Sequence, residues 1–181
     1  MRIIGIDPSL TGTGIATIDT ATGHIHTRTI STTPTSKDIK NRIHRFEKIT
    51  TRIRDIIRDG DHPALIAIEG PSYGSHSAGT WDRAGLWWHI ANHAALGIDI
   101  IEIPPATRCR YATGKGNAAK DVVMISAVRR YPAADITDNN QADAVIIAAI
   151  AARLAGHPID DPLPKANQTA LTKLPRLTDA A

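Results

Sequence analysis

Cysteine is almost absent from the sequence, because Cys109 is the only one among 181 residues. A single cysteine excludes an intrachain disulfide framework and a zinc site built from several cysteines. Long apolar runs are also missing: no stretch approaches the roughly 20 residues of a membrane-spanning helix, and Met1 is not followed by the apolar run of a secretory signal peptide. We therefore expect a chain that makes no use of a membrane and works in the reducing cytoplasm.

The charge of the chain is only weakly unbalanced. Its 21 lysine and arginine residues against 18 aspartate and glutamate residues give a formal net charge of +3. An anionic partner would therefore meet local basic clusters rather than a uniformly basic chain. With 181 residues, of which 42% are hydrophobic, the chain is long enough for one well-buried domain and too short for two comfortable ones.

The hydrophobic pattern predicts strands first and then alternating helices and strands. Strands joined by turn-forming segments are predicted at residues 2–6, 14–18 and 24–30. Helices are predicted, from the three-to-four-residue period of apolar side chains and from their end signals, at residues 36–59, 79–95, 118–131 and 140–155. Further strands are expected at "ALIAIEG" and "IDIIEIP", with a loop or short helix at "PPATRCRYATGKGN". This order favours a mixed sheet, with an antiparallel meander and helices on its faces.

Three acids stand at the ends of core elements, where burial normally excludes charge. Asp7 ends the first strand, Glu69 ends "LIAIE", and Asp143 lies in the first turn of the helix in "NNQADAVIIA". Each has an ordinary explanation: an Asx turn before a proline, a solvated strand end, and a favourable interaction with the helix dipole. Taken together, the three carboxylates are more simply explained by a shared site.

Clustered carboxylates need a cation. Two unit charges 4 Å apart repel by roughly 4 kcal/mol at an effective dielectric constant of 20. Oxygen-rich acidic clusters are the ligands that Mg²⁺ prefers. Two such ions about 3.5–4 Å apart can activate a water molecule and stabilise the leaving oxygen of a phosphodiester. The sequence therefore predicts metal-assisted phosphodiester hydrolysis.

Four motifs in order, "GIDPSLTGTG", "AIEGP", "GKGNAAKDVV" and "NNQADAVIIAA", resemble those of RuvC-type Holliday junction resolvases in the RNase H-like superfamily. We expect a phage-related or actinobacterial branch of that family. The resemblance implies an α/β fold with a mixed five-stranded sheet, formed by a three-stranded antiparallel meander plus parallel strands and flanked by helices. It covers residues 1–155 as one nuclease domain, and we expect residues 156–181 to form a flexible, proline-containing tail.

The resemblance also implies an activity and its partners. Members nick two opposed strands of a four-way DNA junction as homodimers, with two Mg²⁺ ions in each active site, for which Mn²⁺ is expected to substitute. It suggests a branch-migration helicase as a partner, in the cytoplasm of a bacterium or of a phage-infected host cell. A related nuclease that cuts flaps or replication forks remains an alternative, as does, with less support, a non-catalytic junction-binding protein. An actin-like kinase needs a duplicated domain, for which the chain has no room.

By the same resemblance, Asp7, Glu69 and Asp143 would be catalytic metal ligands, and Lys120 would contact the scissile phosphate. The chain departs from the family three residues before the last aspartate, where an acid or histidine is usual and Asn140 stands here. We expect Asn140 to cap the helix and to offer an uncharged amide ligand. In the competing interpretation, Asp138 completes the metal site.

Further residues are candidates for DNA contact. Arg108, Arg110 and Lys115 accompany Lys120 in a glycine-bearing segment, and we expect all four to contact phosphates. Tyr73, shortly after the strand-end glutamate, could stack on an unpaired base or simply pack in a loop. The basic face of the helix at residues 36–59 is expected to be solvated.

Overall fold

The computed structural model describes residues 1–71, 79–95, 97–175 and 177. The strands form a five-stranded sheet in the order β3-β2-β1-β4-β5; β1, β2 and β3 pair antiparallel, whereas β4 and β5 run parallel to β1. This is the predicted mixed sheet, and the predicted fold class is confirmed. The strands are β1 (Arg2–Asp7), β2 (Gly12–Asp19), β3 (His24–Ser31), β4 (Leu65–Glu69) and β5 (Asp99–Ile103). The helices are α1 (Ile39–Arg58), α2 (Thr80–Ala94), α3 (Pro105–Thr113), α4 (Lys120–Arg130), α5 (Asn139–Leu154) and α6 (Lys165–Gln168), followed by a 3₁₀ turn at Leu171–Lys173.

Helices cover both faces of the sheet and divide the core into two layers. On β1, Ile3 packs in the layer that contains α5, whereas Ile4 and Ile6 pack in the layer that contains α1 and α2. This alternation follows from the two-residue period of a strand. Most of α5 is buried, which explains why its sequence is apolar on every side. Because helices cover both faces, side chains of the sheet can reach solvent mainly where the strands end.

Two glycines bring α5 unusually close to the sheet. A Cβ atom on Gly5 would lie 2.3 Å from the carbonyl oxygen of Ala144, and one on Gly14 would lie 2.0 Å from that of Asn140. Any side chain at either position would force the helix and the strand apart. The close approach places the first turns of α5 beside the end of β1.

The described part of the predicted tail packs against the domain. The Asp160 carboxylate accepts hydrogen bonds from the hydroxyls of Tyr111 (2.9 Å) and Tyr131 (2.8 Å), and Asn167 donates to the carbonyl oxygen of Tyr111 (2.9 Å). Leu163 and Ala170 of this segment are also buried in the core layer that contains α5, but these apolar residues are widely spaced and follow no helical or strand period. The domain boundary at residue 155 and the flexibility of residues 156–181 stay predictions, but these contacts attach the segment to the fold.

Candidate active site

Asp7 and Glu69 leave the sheet at the same edge. β1 and β4 are neighbouring parallel strands, with Ile6 opposite Ile68, so the residue that follows each of them emerges at a common carboxyl end. The two carboxyl groups are close enough for the charge of Glu69 to raise the pKa of Asp7. Asp7 is only 8% exposed. The sequence-predicted pair is therefore together in the structure.

Asp143 joins this pair from the other layer. It lies at the fifth residue of α5 and is 6% exposed. The contacts of Ala144 and Asn140 with the glycines of β1 and β2 fix the height of this helix above the strand ends. All three predicted carboxylates thus come from separate elements and converge on one end of the sheet.

The cluster makes the carboxyl groups of Asp7 and Asp143 hard to ionise. The pKa of Asp7 is raised well above its usual value, first by burial and then by the charges of Glu69 and Asp143. Burial raises the pKa of Asp143 to about 6, although Arg108 acts in the opposite direction. Without a bound cation, protonation of Asp7 and Asp143 therefore stabilises the folded chain.

Arg108 lies inside the acidic cluster. Its Nε donates to Oε1 of Glu69, and its Nη1 donates to Oδ1 of Asp143. Burial disfavours the charge of the guanidinium, but the neighbouring carboxylates outweigh it and raise the pKa of Arg108. From the sequence, Arg108 was expected on a basic surface that contacts phosphates; in the structure it is buried, because α3 begins directly after β5 and turns the side chain inward. The spacing in the sequence could have indicated this inward orientation, because Arg108 shares a helical face with Tyr111 and Ala112, which are buried.

The donor chemistry fits a hard divalent cation, but the donors are held apart. Asp7, Glu69 and Asp143 offer carboxylate oxygens, the type of ligand that Mg²⁺ and Mn²⁺ prefer. Within the described ranges, however, no three histidine, cysteine, aspartate or glutamate side chains converge closely enough to hold a metal ion. The guanidinium of Arg108 occupies the space between two of them.

Asp138, not Asn140, caps α5. Its Oδ1 accepts from the backbone N–H of Gln141 (2.8 Å), and its Oδ2 accepts from the hydroxyl of Thr29 (2.6 Å). The expected capping role of Asn140 is therefore wrong, because the helix starts one residue earlier than the pattern indicated. Asn140 instead lines the cleft with Asp7 and Asp143. Of the two residues predicted as alternatives for the metal site, Asn140 is part of the cleft lining and Asp138 is not; the ligand role of either stays a prediction.

A cleft of about 650 Å³ opens over the carboxylates. Lys120, at the first residue of α4, lies exposed on its wall and acts electrostatically on Asp143. Arg110 and Lys115 are exposed but are not part of the wall, and Tyr73 lies outside the described residues. The cleft is lined by residues that include Ser9, Glu69, Arg83, Trp87, Trp88, Glu102, Arg108 and Asn140.

Trp87 supports the end of β4. Its indole N–H donates to the backbone carbonyl of Glu69 at 2.8 Å. Trp87 is half-buried and packs against the core layer that contains α1 and α2. Trp88 and Trp81 are different, with 68% and 89% of their surface exposed. Sequence periodicity alone could not separate the supporting tryptophan from the exposed ones.

Comparison with known proteins identifies the family. A crossover junction endodeoxyribonuclease RuvC of Chlamydia trachomatis is 30% identical over 159 residues, which cover 84% of this chain and 92% of the relative. One of Parasynechococcus marenigrum is 29% identical over 157 residues, covering 82% and 96%. The chain belongs to the RuvC family. No family model matches the chain.

Solved structures agree on the RuvC fold. Thermus thermophilus RuvC superposes with a TM-score of 0.66 at 20% identity, over 90% of this chain and 100% of that one. The same protein in complex with a Holliday junction substrate gives a TM-score of 0.68 at 18% identity, over 90% of this chain and 99% of that one. The relatives named above are chlamydial and cyanobacterial, so they do not support the expected phage-related or actinobacterial branch. No helix in the described ranges is long and apolar enough to cross a membrane.

Proposed function

We propose that this RuvC-family chain is a metal-dependent endonuclease that resolves four-way DNA junctions by paired nicks. The observation that carries the proposal is the convergence of Asp7, Glu69 and Asp143, from β1, β4 and α5, in one open cleft. The relatives bear the name crossover junction endodeoxyribonuclease, and a structural neighbour was solved with a Holliday junction substrate. Metal dependence is a property of the RuvC family.

The carboxylates would hold two Mg²⁺ ions, with Mn²⁺ as a substitute. Asn140 would add an amide oxygen without charge. Bound metal supplies activation of the attacking water and charge stabilisation at the leaving oxygen. The chain itself contributes the fixed directions of Asp7, Glu69 and Asp143, because each is anchored to a buried element of the core. This preorganisation removes the need to gather charged ligands during the reaction.

Lys120 would orient the scissile phosphate. It is exposed on the cleft wall, and its charge partly offsets the rise in the pKa of Asp143. A cation there can contact a phosphate oxygen while the carboxylates face the reacting phosphorus. Arg110 and Lys115, which are exposed and outside the cleft lining, would contact flanking phosphates; such contacts position the DNA without reading its sequence. Tyr73 is proposed to stack on an unpaired base, and Arg108 has a separate role, developed below.

Paired nicking requires two active sites, and we propose a homodimer. The exposed Trp88 on α2 borders an apolar groove of about 370 Å³ between α2 and the β5 edge. A tryptophan that is 68% exposed next to such a groove is a typical anchor for a protein interface. Association with a branch-migration helicase and a cytoplasmic location stay predictions.

A substrate comparison tests the proposal. Purified chain is incubated with an immobile four-way junction, a flap and a linear duplex of the same sequences, each with Mg²⁺ or with EDTA, and the cuts are mapped. We expect symmetric cuts in opposed strands of the junction, dependent on the metal, and little cutting of the duplex. Preferential cutting of the flap would favour the alternative of a flap or fork nuclease. Tight junction binding without any cutting, in Mg²⁺ or Mn²⁺, would favour a binding protein instead.

A further inference from the structure

The guanidinium of Arg108 stands where a cation shared by Glu69 and Asp143 would stand. It donates from Nε to one carboxylate and from Nη1 to the other, on two different edges of the group. All three side chains are nearly enclosed, with 11%, 14% and 9% of their surface exposed for Arg108, Glu69 and Asp143. One oxygen of each carboxylate, Oε1 of Glu69 and Oδ1 of Asp143, therefore already accepts a hydrogen bond from the guanidinium.

We propose that Arg108 is an internal counter-ion that holds Glu69 and Asp143 in place until metal binds, and that metal loading displaces its guanidinium. The proposal rests on the function proposed above, in which these carboxylates bind metal. A guanidinium and a divalent cation are both positive and would compete for the same oxygens. In the low dielectric of a buried site, the two cannot share them without strong repulsion.

The charges of the cluster explain why a counter-ion is needed. Asp7, Glu69 and Asp143 are brought together by buried elements that cannot relax away from one another. A charged group left buried without a partner is strongly unfavourable, whereas one paired by hydrogen bonds is tolerated. Arg108 donates hydrogen bonds to two of the three acids, Glu69 and Asp143, and so supplies a buried positive charge to both. Arg108 thus stabilises the site in its metal-free form.

The cleft has room for the displaced side chain of Arg108. Arg108 itself lines the cavity of about 650 Å³ above the carboxylates. It is carried by the second turn of α3, and its long, flexible side chain can swing into that space without moving the helix. Displacement therefore requires a change of side-chain rotamers rather than a change of fold. It would also explain why the acids do not form a metal-binding group as they stand.

Metal binding in the absence of DNA tests the competition. Free Mn²⁺ is measured by electron paramagnetic resonance during titration of the wild-type chain, Arg108→Gln, Arg108→Lys and the neighbouring control Arg110→Gln. Removing the competing charge should lower the Kd of Arg108→Gln by about tenfold or more, equivalent to about 1.4 kcal/mol per tenfold. Arg110→Gln should match the wild type, because Arg110 is exposed and outside the cleft wall. Arg108→Lys, which keeps the charge, should gain much less than Arg108→Gln.

The outcomes separate this inference from the proposed function. An Arg108→Gln chain that binds Mn²⁺ no more tightly than the wild type would overturn the competition while leaving the metal site intact. Failure of every variant and of the wild type to bind Mn²⁺ would overturn both. A second measurement needs only the wild-type chain: the Nε–H resonance of Arg108, followed by NMR in EDTA and during Mg²⁺ titration, should shift as its bond to Glu69 breaks. An unchanged resonance at saturating metal would contradict displacement.

Discussion

At the scale of single residues, Asp7 illustrates a conflict between stability and function. It is almost fully buried among like charges, and its pKa is raised by burial and by Glu69 and Asp143. Asp7→Asn should therefore stabilise the metal-free chain by about 0.5–2 kcal/mol, as is common when a strained active-site group is removed, while it abolishes cleavage. Chemical denaturation in EDTA measures the first effect. A metal-free Asp7→Asn chain less stable than the wild type would contradict the electrostatic account.

The same residues predict how stability changes with pH. Both Asp7 and Asp143 have a raised pKa in the folded chain, so the folded state binds more protons than the unfolded state. Their contribution is fully present below the ordinary pKa of 3.8 and is lost as the pH rises through the folded value, about 6 for Asp143. In EDTA, the free energy of unfolding should fall between pH 5 and pH 7.5, with a smaller fall in Asp7→Asn. Equal slopes in the two chains would exclude Asp7 as a source.

Asn140 and Asp138 provide a residue-scale test of the family departure. Asn140→Asp adds a charge beside Asp7 and Asp143 and should lower the Mg²⁺ concentration needed for half-maximal cleavage. Asp138→Asn is the matched control, because the oxygens of Asp138 already accept hydrogen bonds from the backbone N–H of Gln141 and the hydroxyl of Thr29. Asparagine also caps a helix about as well as aspartate. The control should keep the wild-type Mg²⁺ requirement. An inactive Asp138→Asn chain beside an unaffected Asn140→Asp would transfer the ligand role to Asp138.

At the scale of elements, the spacing between α5 and the sheet decides where Asp143 lies. Gly5→Ala would place a Cβ atom 2.3 Å from the carbonyl oxygen of Ala144, so the helix must move away from β1. Cleavage should fall by at least about tenfold even under conditions where the chain remains folded, because misplacing a catalytic group by about 1 Å can cost about 100-fold. Gly85→Ala on α2 is the control, since its Cβ would meet only the ring of Phe46, at 3.1 Å. A fully active Gly5→Ala chain would show that this spacing is not critical.

Element positions were largely predictable from the sequence, whereas the contacts between elements were not. The two-residue period of β1 and the helical period of α1 reflect local burial, which the order of residues records directly. Asp7, Glu69 and Asp143 were recognisable because acids at the ends of apolar runs are rare. The inward turn of Arg108, the capping by Asp138 and the anchoring by Asp160 depend on which elements meet in space. A single sequence does not show which elements contact one another.

At the scale of the whole molecule, symmetric nicking depends on a second copy of the chain. If α2 forms the dimer interface, Trp88→Glu should produce a monomer in analytical ultracentrifugation and should uncouple the two nicks on a junction. Val122→Glu is the control, because it changes a half-exposed apolar residue of α4, which packs on the opposite face of the sheet. A dimeric Trp88→Glu chain would place the interface elsewhere.

The central claim is that three carboxylates from three elements form one metal-dependent site for junction cleavage. The most direct measurement compares Asp7→Asn, Glu69→Gln and Asp143→Asn with the wild type for cleavage and binding of one labelled four-way junction in Mg²⁺. Each variant should lose cleavage by at least about 100-fold, because the metal ligands are lost, while junction affinity stays within about threefold, because the phosphate contacts remain. Near wild-type cleavage by any one of the three variants would contradict the shared site.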